Sequence, residues 1–164
     1  MAWDAYLHLD GVEGEAIRKG HEGDIPLISF TVGGSLPIRT APGQPLQVTG
    51  RASITGFSFR KDSDKSSPQL FQAMCHNLKF HKAVISFYRA GSNTSIPYFE
   101  FELSDVVLAS MTWNGSEAEY AGIPQENVTL NFDRIRVTYT EVSADGTASG
   151  TVEAEYDIGL IDMG

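Results

Sequence analysis

The stretch Asn127-Val128-Thr129-Leu130-Asn131-Phe132-Asp133-Arg134-Ile135-Arg136-Val137-Thr138-Tyr139 decides the fold class. Val128, Leu130 and Phe132 alternate with polar residues, the pattern of a strand with one buried face. Ile135, Val137 and Tyr139 do the same on the opposite parity, so the phase slips at Asp133-Arg134. A slip inside a long strand pattern marks a bulge or a change of sheet, as closed or doubled sheets require.

The same period of two recurs on both sides. Trp3, Ala5, Leu7 and Leu9 share a face, and so do Ala83, Ile85 and Phe87. Ile28, Phe30 and Val32 alternate with Ser29, Thr31 and Gly33. Phe99, Phe101 and Leu103 form a further run; Val107, Ala109, Met111 and Trp113 form another, out of simple continuity with it, and Val152, Ala154, Tyr156 and Ile158 come last. One segment breaks the pattern. Ser66-Ser67-Pro68 offers an N-cap serine and a proline whose missing N–H costs nothing at a helix start. The residues after it place Leu70, Phe71, Met74 and Cys75 on one stripe, and Asn77 is suited to an αL stop. A mainly β protein with one short helix, at about residues 67–77, is the expectation.

Residues 34–47 are an extended Pro/Gly-rich loop. Gly33–Pro45 holds three prolines and three glycines, which excludes a central strand or a helix. Loops of this length inside a compact domain are usually functional or mobile. Leu36 and Ile38 have little reason to face water, so cover by a neighbouring molecule is expected, the alternative being a loop that folds back over its own sheet.

The chain has 164 residues and a mass of 17.9 kDa, so one domain over 1–164 is expected. Its formal charge is −9, which argues against nucleic acid or an anionic membrane as partner, since both need a cationic footprint. Residues 60–89 are net positive and residues 97–164 strongly negative, so opposite surface poles and head-to-tail self-association are one reading, scattered solvated faces the other. The N-terminus has neither a basic segment nor an apolar core of the kind a secretory signal carries, so cytoplasmic synthesis without a signal peptide is expected. No apolar run approaches the ~20 residues of a membrane-spanning helix.

Chemistry-bearing motifs are sparse. Cys75 and His76 are helix neighbours that point about 100° apart, so a small buried thiol is the reading of Cys75. No Cys or His spacing matches a structural zinc site, and there is no phosphate loop, nucleophile elbow or HExxH. Glu100/Glu102 and Glu153/Glu155/Asp157 are carboxylates two apart on a strand face; they suit a glycosidase in type, and a solvated sheet face more simply. The expectation is no catalytic centre, no metal and no cofactor.

Several segments in order resemble the Hcp family (haemolysin-coregulated protein), the tube protein of type VI secretion. They are Asp4-Ala5-Tyr6-Leu7-His8-Leu9-Asp10-Gly11-Val12-Glu13-Gly14-Glu15, His21, and Leu27-Ile28-Ser29-Phe30-Thr31-Val32-Gly33. Phe57-Ser58-Phe59 leading into Lys61–Pro68 follows, then Arg89-Ala90-Gly91, Glu126–Phe132 and Ala144-Asp145-Gly146. The proline content of residues 34–47 and the stretch Trp113–Tyr120 depart from the family pattern.

The resemblance implies a small β-barrel of two packed, mostly antiparallel sheets with the helix alongside. It implies homohexameric rings that stack into a hollow tube, propelled with a spike by contraction of a surrounding sheath, with effector cargo in the lumen. Secretion to the extracellular space or a target cell would then be through the type VI apparatus. Leu36, Pro37, Ile38 and Arg39 become candidates for an inter-subunit loop, and Ser29 and Thr31 for a lumen face. Two other classes stay open: a β-sandwich module binding sugar or peptide through loops bearing Trp3 or Trp113, and a hydrolase using one of these acidic pairs, to be probed by a substrate screen with Glu100 and Glu153 variants.

Overall fold

The structure, a computed structural model, describes residues 3–92, 94–115, 122–143, 145 and 147–159. Among the described residues, thirteen strands and one helix follow in chain order. The first strands are β1 (Trp3–Leu9), β2 (Ile25–Leu27), β3 (Ser29–Thr31), β4 (Gly34–Ser35), β5 (Ile38–Arg39), β6 (Gln47–Val48), β7 (Ser53–Ile54) and β8 (Phe57–Asp62). Then come α1 (Ser67–Cys75), β9 (Lys79–Arg89), β10 (Phe99–Asn114), β11 (Gln125–Asn131), β12 (Arg134–Val142) and β13 (Ala148–Asp157).

One nine-stranded antiparallel sheet runs β2-β1-β9-β10-β11-β8-β3, with β12 and β13 branching from β10. Its two ends are consecutive in the chain. β2 pairs with β1 and β3 pairs with β8, and the single residue between them, Ile28, donates its N–H to the Arg60 carbonyl at 2.8 Å. The sheet therefore curls round on itself through one chain segment that changes partners, rather than closing as a complete hydrogen-bonded cylinder.

The phase slip at Asp133-Arg134 is a corner. β11 pairs with the second half of β10 and β12 with the first half, so one long strand feeds two diverging layers. The Asp133 N–H donates to Ser104 O at 3.0 Å, and Ile158 N–H donates to Asp133 O, which pins the corner from both sides. The inward faces of these strands meet in one core built from Leu7, Ile25, Phe57, Leu70, Ile85, Leu103, Val128 and Leu130, all with no exposure. Side chains of this size stabilise by ~1.5–3 kcal/mol each when fully buried. Phe30 joins Trp3, Phe57, Phe87 and Phe101 at ring-centroid distances of 5.6, 5.7, 4.8 and 5.9 Å.

The helix occurs where expected, with Pro68 in its first turn and Asn77 at φ 57°, in the left-handed region. Leu78 N–H reaches back to Ala73 O at 2.9 Å, closing the C-terminal turn. Its buried stripe differs from expectation: Ser67, Leu70 and Ala73 face inward, whereas Phe71 is 43% exposed and Cys75 is exposed. Ser67 is drawn toward Lys61 and Glu126, and that anchor rotates Phe71 and Cys75 outward. Two further phases differ. Ile28 is exposed because the chain switches partners there, so it does not share a face with Phe30. In β10 the inward residues after Leu103 are Val106 and Leu108, not Val107 and Ala109, because Asp105 takes φ 54° and resets the alternation.

Candidate functional site

The Pro/Gly-rich segment forms an arm. Gly34 and Ser35 pair with Ile54 and Ser53, and Ile38 and Arg39 pair with Val48 and Gln47. Between these two short ladders Pro37 interrupts the pairing while its carbonyl accepts the Thr49 N–H at 3.0 Å. The tip turns at Ala41–Gln44, with Gly43 at φ 75°. At the root Gly34 lies so close to Ile54 that an added Cβ would meet the isoleucine Cδ1 at 2.8 Å. The prolines thus permit strand pairing of only two residues at a time.

Leu36, Ile38, Leu46 and Val48 are 48%, 55%, 62% and 59% exposed along this arm. Pro37 and Arg39 are exposed as well. The arm pairs with its own returning strand, so the loop does not fold back over the sheet. Four exposed aliphatic residues on one projection are an uncovered apolar surface.

A second uncovered surface is the wing formed by β12 and β13. Val152 is 74% exposed and its register partner Tyr139 46%. β13 pairs with β12 on one side, and among the described residues no strand covers its other edge. Such an edge presents a row of backbone donors and acceptors to another chain. Where the wing meets the arm root lies a groove of about 450 Å³, lined by Phe30, Val32, Ile54, Phe99, Val137 and Tyr156. Alternation in the sequence identified the strands but gave no sign that this apolar side of the wing has no covering layer.

The outward face of the same sheet carries charge. Arg136 lies between Glu102 and Glu155, with its Nη2 2.9 Å from Glu155, and Arg134 reaches Asp157 at 3.1 Å. These bonds and charges raise both guanidinium pKa values, for Arg134 first through its hydrogen bond to Asp157 and for Arg136 first through that to Glu155. Glu100 and Glu153 both sit in register with Thr138, on opposite sides of it, so two strand spacings of ~4.8 Å separate them. That places them about 10 Å apart, beyond the ~5–5.5 Å of a retaining carboxylate pair and at the upper edge of the ~6.5–9.5 Å of an inverting one. Burial raises the Glu100 pKa, opposed by its hydrogen bond from Ser86.

Ser29 is half-buried and Thr31 exposed on β3, in register with Arg60 and Ser58 of β8. Trp3 packs its ring against Phe30 and Phe87, which removes it from a loop-borne binding role. Trp113 is 42% exposed and packs against Phe71 of α1, and residues 116–120 of the stretch after it lie outside the described residues. Within the basic middle segment Lys61 is buried against Glu126, Lys65 pairs with Glu13 and Lys82 with Glu102. Among the described residues no helix is long and apolar enough to cross a membrane, and no group of three or more His, Cys, Asp or Glu side chains could hold a metal ion.

Comparisons with known proteins converge. Residues 6–139 match the family model described as type VI secretion system effector, Hcp. Protein hcp1 of Pseudomonas aeruginosa is 30% identical over 150 residues, covering 92% of this chain and 91% of that protein. The solved structure of a type six secretion system protein superimposes with a TM-score of 0.86 at 21% identity, over 96% of each chain. Hcp1 from Salmonella typhimurium does so with a TM-score of 0.77 at 24% identity, again over 96% of each chain. The two structural likenesses speak for the fold, and the first two matches for the family.

Proposed function

The chain belongs to the Hcp family of type VI secretion, and from that premise we propose that it is the tube subunit of such a system. In this reading six copies close into a ring and rings stack into a hollow tube that sheath contraction drives outward. The single observation that carries it is the projecting arm with Leu36, Ile38, Leu46 and Val48 exposed. A monomer gains nothing from holding four aliphatic side chains in water, whereas a neighbouring copy that covers them gains ~1.5–3 kcal/mol for each one fully buried.

The wing supplies the other contact. Its unpaired edge and the groove at the arm root suit a neighbour within the ring, while the arm, projecting from the sheet, suits a copy in the next ring. Because both contacts are heterologous, closure of the ring depends on the rotation between neighbours. Leu36, Pro37, Ile38 and Arg39 are the proposed inter-subunit residues, and Ser29 and Thr31 the proposed lumen face. Sheath, spike and effector cargo are the proposed partners beyond self-association. Synthesis in the cytoplasm and exit as a folded protein through the apparatus complete the reading.

Negative-stain electron microscopy of the purified protein tests it. Ring-shaped class averages with a central hole support the reading, and uniform compact particles of single-chain size overturn it.

A further inference from the structure

Residues 10–24, between β1 and β2, fold into a small closed loop on the outward face of the sheet. Gly14 N–H donates to Gly23 O at 2.7 Å, Gly23 N–H to Ala16 O at 3.1 Å and Ala16 N–H to Asp24 O at 3.0 Å. An added Cβ on Gly14 would lie 2.5 Å from the Asp24 carbonyl oxygen, so loop and strand start are tightly apposed. The side chain of Asp24 is nearly buried and lies between two histidines. His8 Nδ1 is 2.7 Å from one of its oxygens and His21 Nδ1 is 2.8 Å from the other.

The two rings differ in what their second nitrogens meet. His21 Nε2 is 2.6 Å from the Tyr88 hydroxyl, which can donate to it, so a neutral His21 protonated on Nδ1 satisfies both contacts. His8 Nε2 is 3.0 Å from Asp10. An ionised carboxylate only accepts, so His8 satisfies Asp24 and Asp10 together only as the doubly protonated imidazolium.

We propose that His8 is a proton-controlled latch on this loop, closed when the ring is an imidazolium bridging Asp10 and Asp24 and loosened when it loses its proton. The other groups around it leave this assignment intact. Opposite His8 on β9 is the apolar Val84, flanked on the outward face by Lys82 and Ser86. Lys82 is engaged with Glu102 of β10, which also meets Arg136 of β12. Glu100 of β10 accepts from Ser86. Tyr6, beside His8 on β1, stacks on the His21 ring at 5.1 Å.

The hydrogen bond that His8 donates to Asp24 raises its pKa above the ordinary 6.5, with partial burial opposing and Asp10 adding to it. The sign follows from that direction. The latch is fully closed below the ordinary pKa and opens as pH rises through the elevated one. Its opening has a second point of purchase, because Arg18 of the same loop caps the Tyr88 ring at 3.9 Å. Arg18 also donates to the carbonyls of Ser92 and Thr94 at 2.8 and 2.9 Å. The loop thereby holds the Ser92 and Thr94 carbonyls as well, independently of how the protein assembles.

Amide hydrogen exchange of the intact protein tests the latch, with each rate corrected for its intrinsic pH dependence. From about pH 5.5 to about pH 8.5, protection at Gly14, Ala16 and Gly23 should fall by about three- to tenfold while that at Ile85 and Phe87 holds. The fall should share its midpoint with the His8 ring signal in an NMR titration, and H8Q should abolish it. Constant protection in the wild type, a His8 midpoint below 6.5, or an unchanged fall in H8Q would each overturn the proposal. Should H8Q not fold, comparison of the wild-type ring and amide midpoints decides alone.

Discussion

Lys61 and Glu126 are register partners across the β8–β11 ladder, and both side chains are fully buried. They continue the inward rows of Phe57 and Phe59 on one strand and Val128 and Leu130 on the other, where apolar side chains would be expected. The Lys61 ammonium donates to Glu126 Oε1, to Asp64 at 3.0 Å and to Ser67 Oγ at 3.3 Å. Two carboxylates and one ammonium thus fasten the start of α1 to the end of the sheet.

Removing one partner of a buried pair strands the other charge, which costs about 3–5 kcal/mol. K61M should therefore lower the unfolding free energy by that amount in a urea titration. Adding E126L to K61M should restore part of it, since the Lys61–Glu126 pair is then replaced by apolar side chains while Asp64 loses the ammonium and keeps only Ser66 as donor. Additive losses in the double variant would show that the pair is not coupled.

Phe57 and Phe71 are aromatic residues with opposite surroundings. F57A removes a side chain with no exposure from the aromatic cluster and should cost about 3–5 kcal/mol. F71A removes a half-exposed ring that packs against Trp113 at 5.4 Å and should cost about 0.5–1.5 kcal/mol. Its clearer readout is a red shift of Trp113 fluorescence, with Trp3 unaffected inside its own cluster.

The arm is tested by L36D with I38D. Both side chains are about half exposed and outside the core, so circular dichroism should match wild type and the melting curve should stay close to it. Tube yield at high concentration, counted by electron microscopy, should drop sharply. Equal tube numbers in variant and wild type would remove the arm from ring stacking.

T31R places a long cation at an exposed position of β3 without touching the core. If this face lines the lumen, the variant should form rings yet retain less effector in a pull-down with cargo. Unchanged retention would move the lumen to another face.

The strands were legible wherever one face meets the core, as at Ala5-Leu7-Leu9 and Ala83-Ile85-Phe87, because alternation follows from the pleat. The breaks in phase were legible at Asp133-Arg134, where the slip exposes a polar pair, and as a discontinuity between Leu103 and Val107. Ile28 and Val107 are β-branched whether they point in or out, so the direction each one takes left no compositional trace. The arm's strands were hidden by Pro37, Pro42 and Pro45, which fit two-residue ladders as readily as an unpaired loop. The pairing of Lys61 with Glu126 was not legible because neither shows in sequence that the other is opposite it. Cys75 read as buried for want of the Ser67 anchor that turns the helix. The arm was therefore found as a candidate from its apolar residues, while the wing's groove, made of side chains distant in sequence, was not.

Closure of six copies into a ring fixes the native mass of the particle. Light scattering on the size-exclusion peak should give six times the 17.9 kDa chain mass at micromolar concentration. A single-chain mass at that concentration, repeated by native mass spectrometry, would contradict the account.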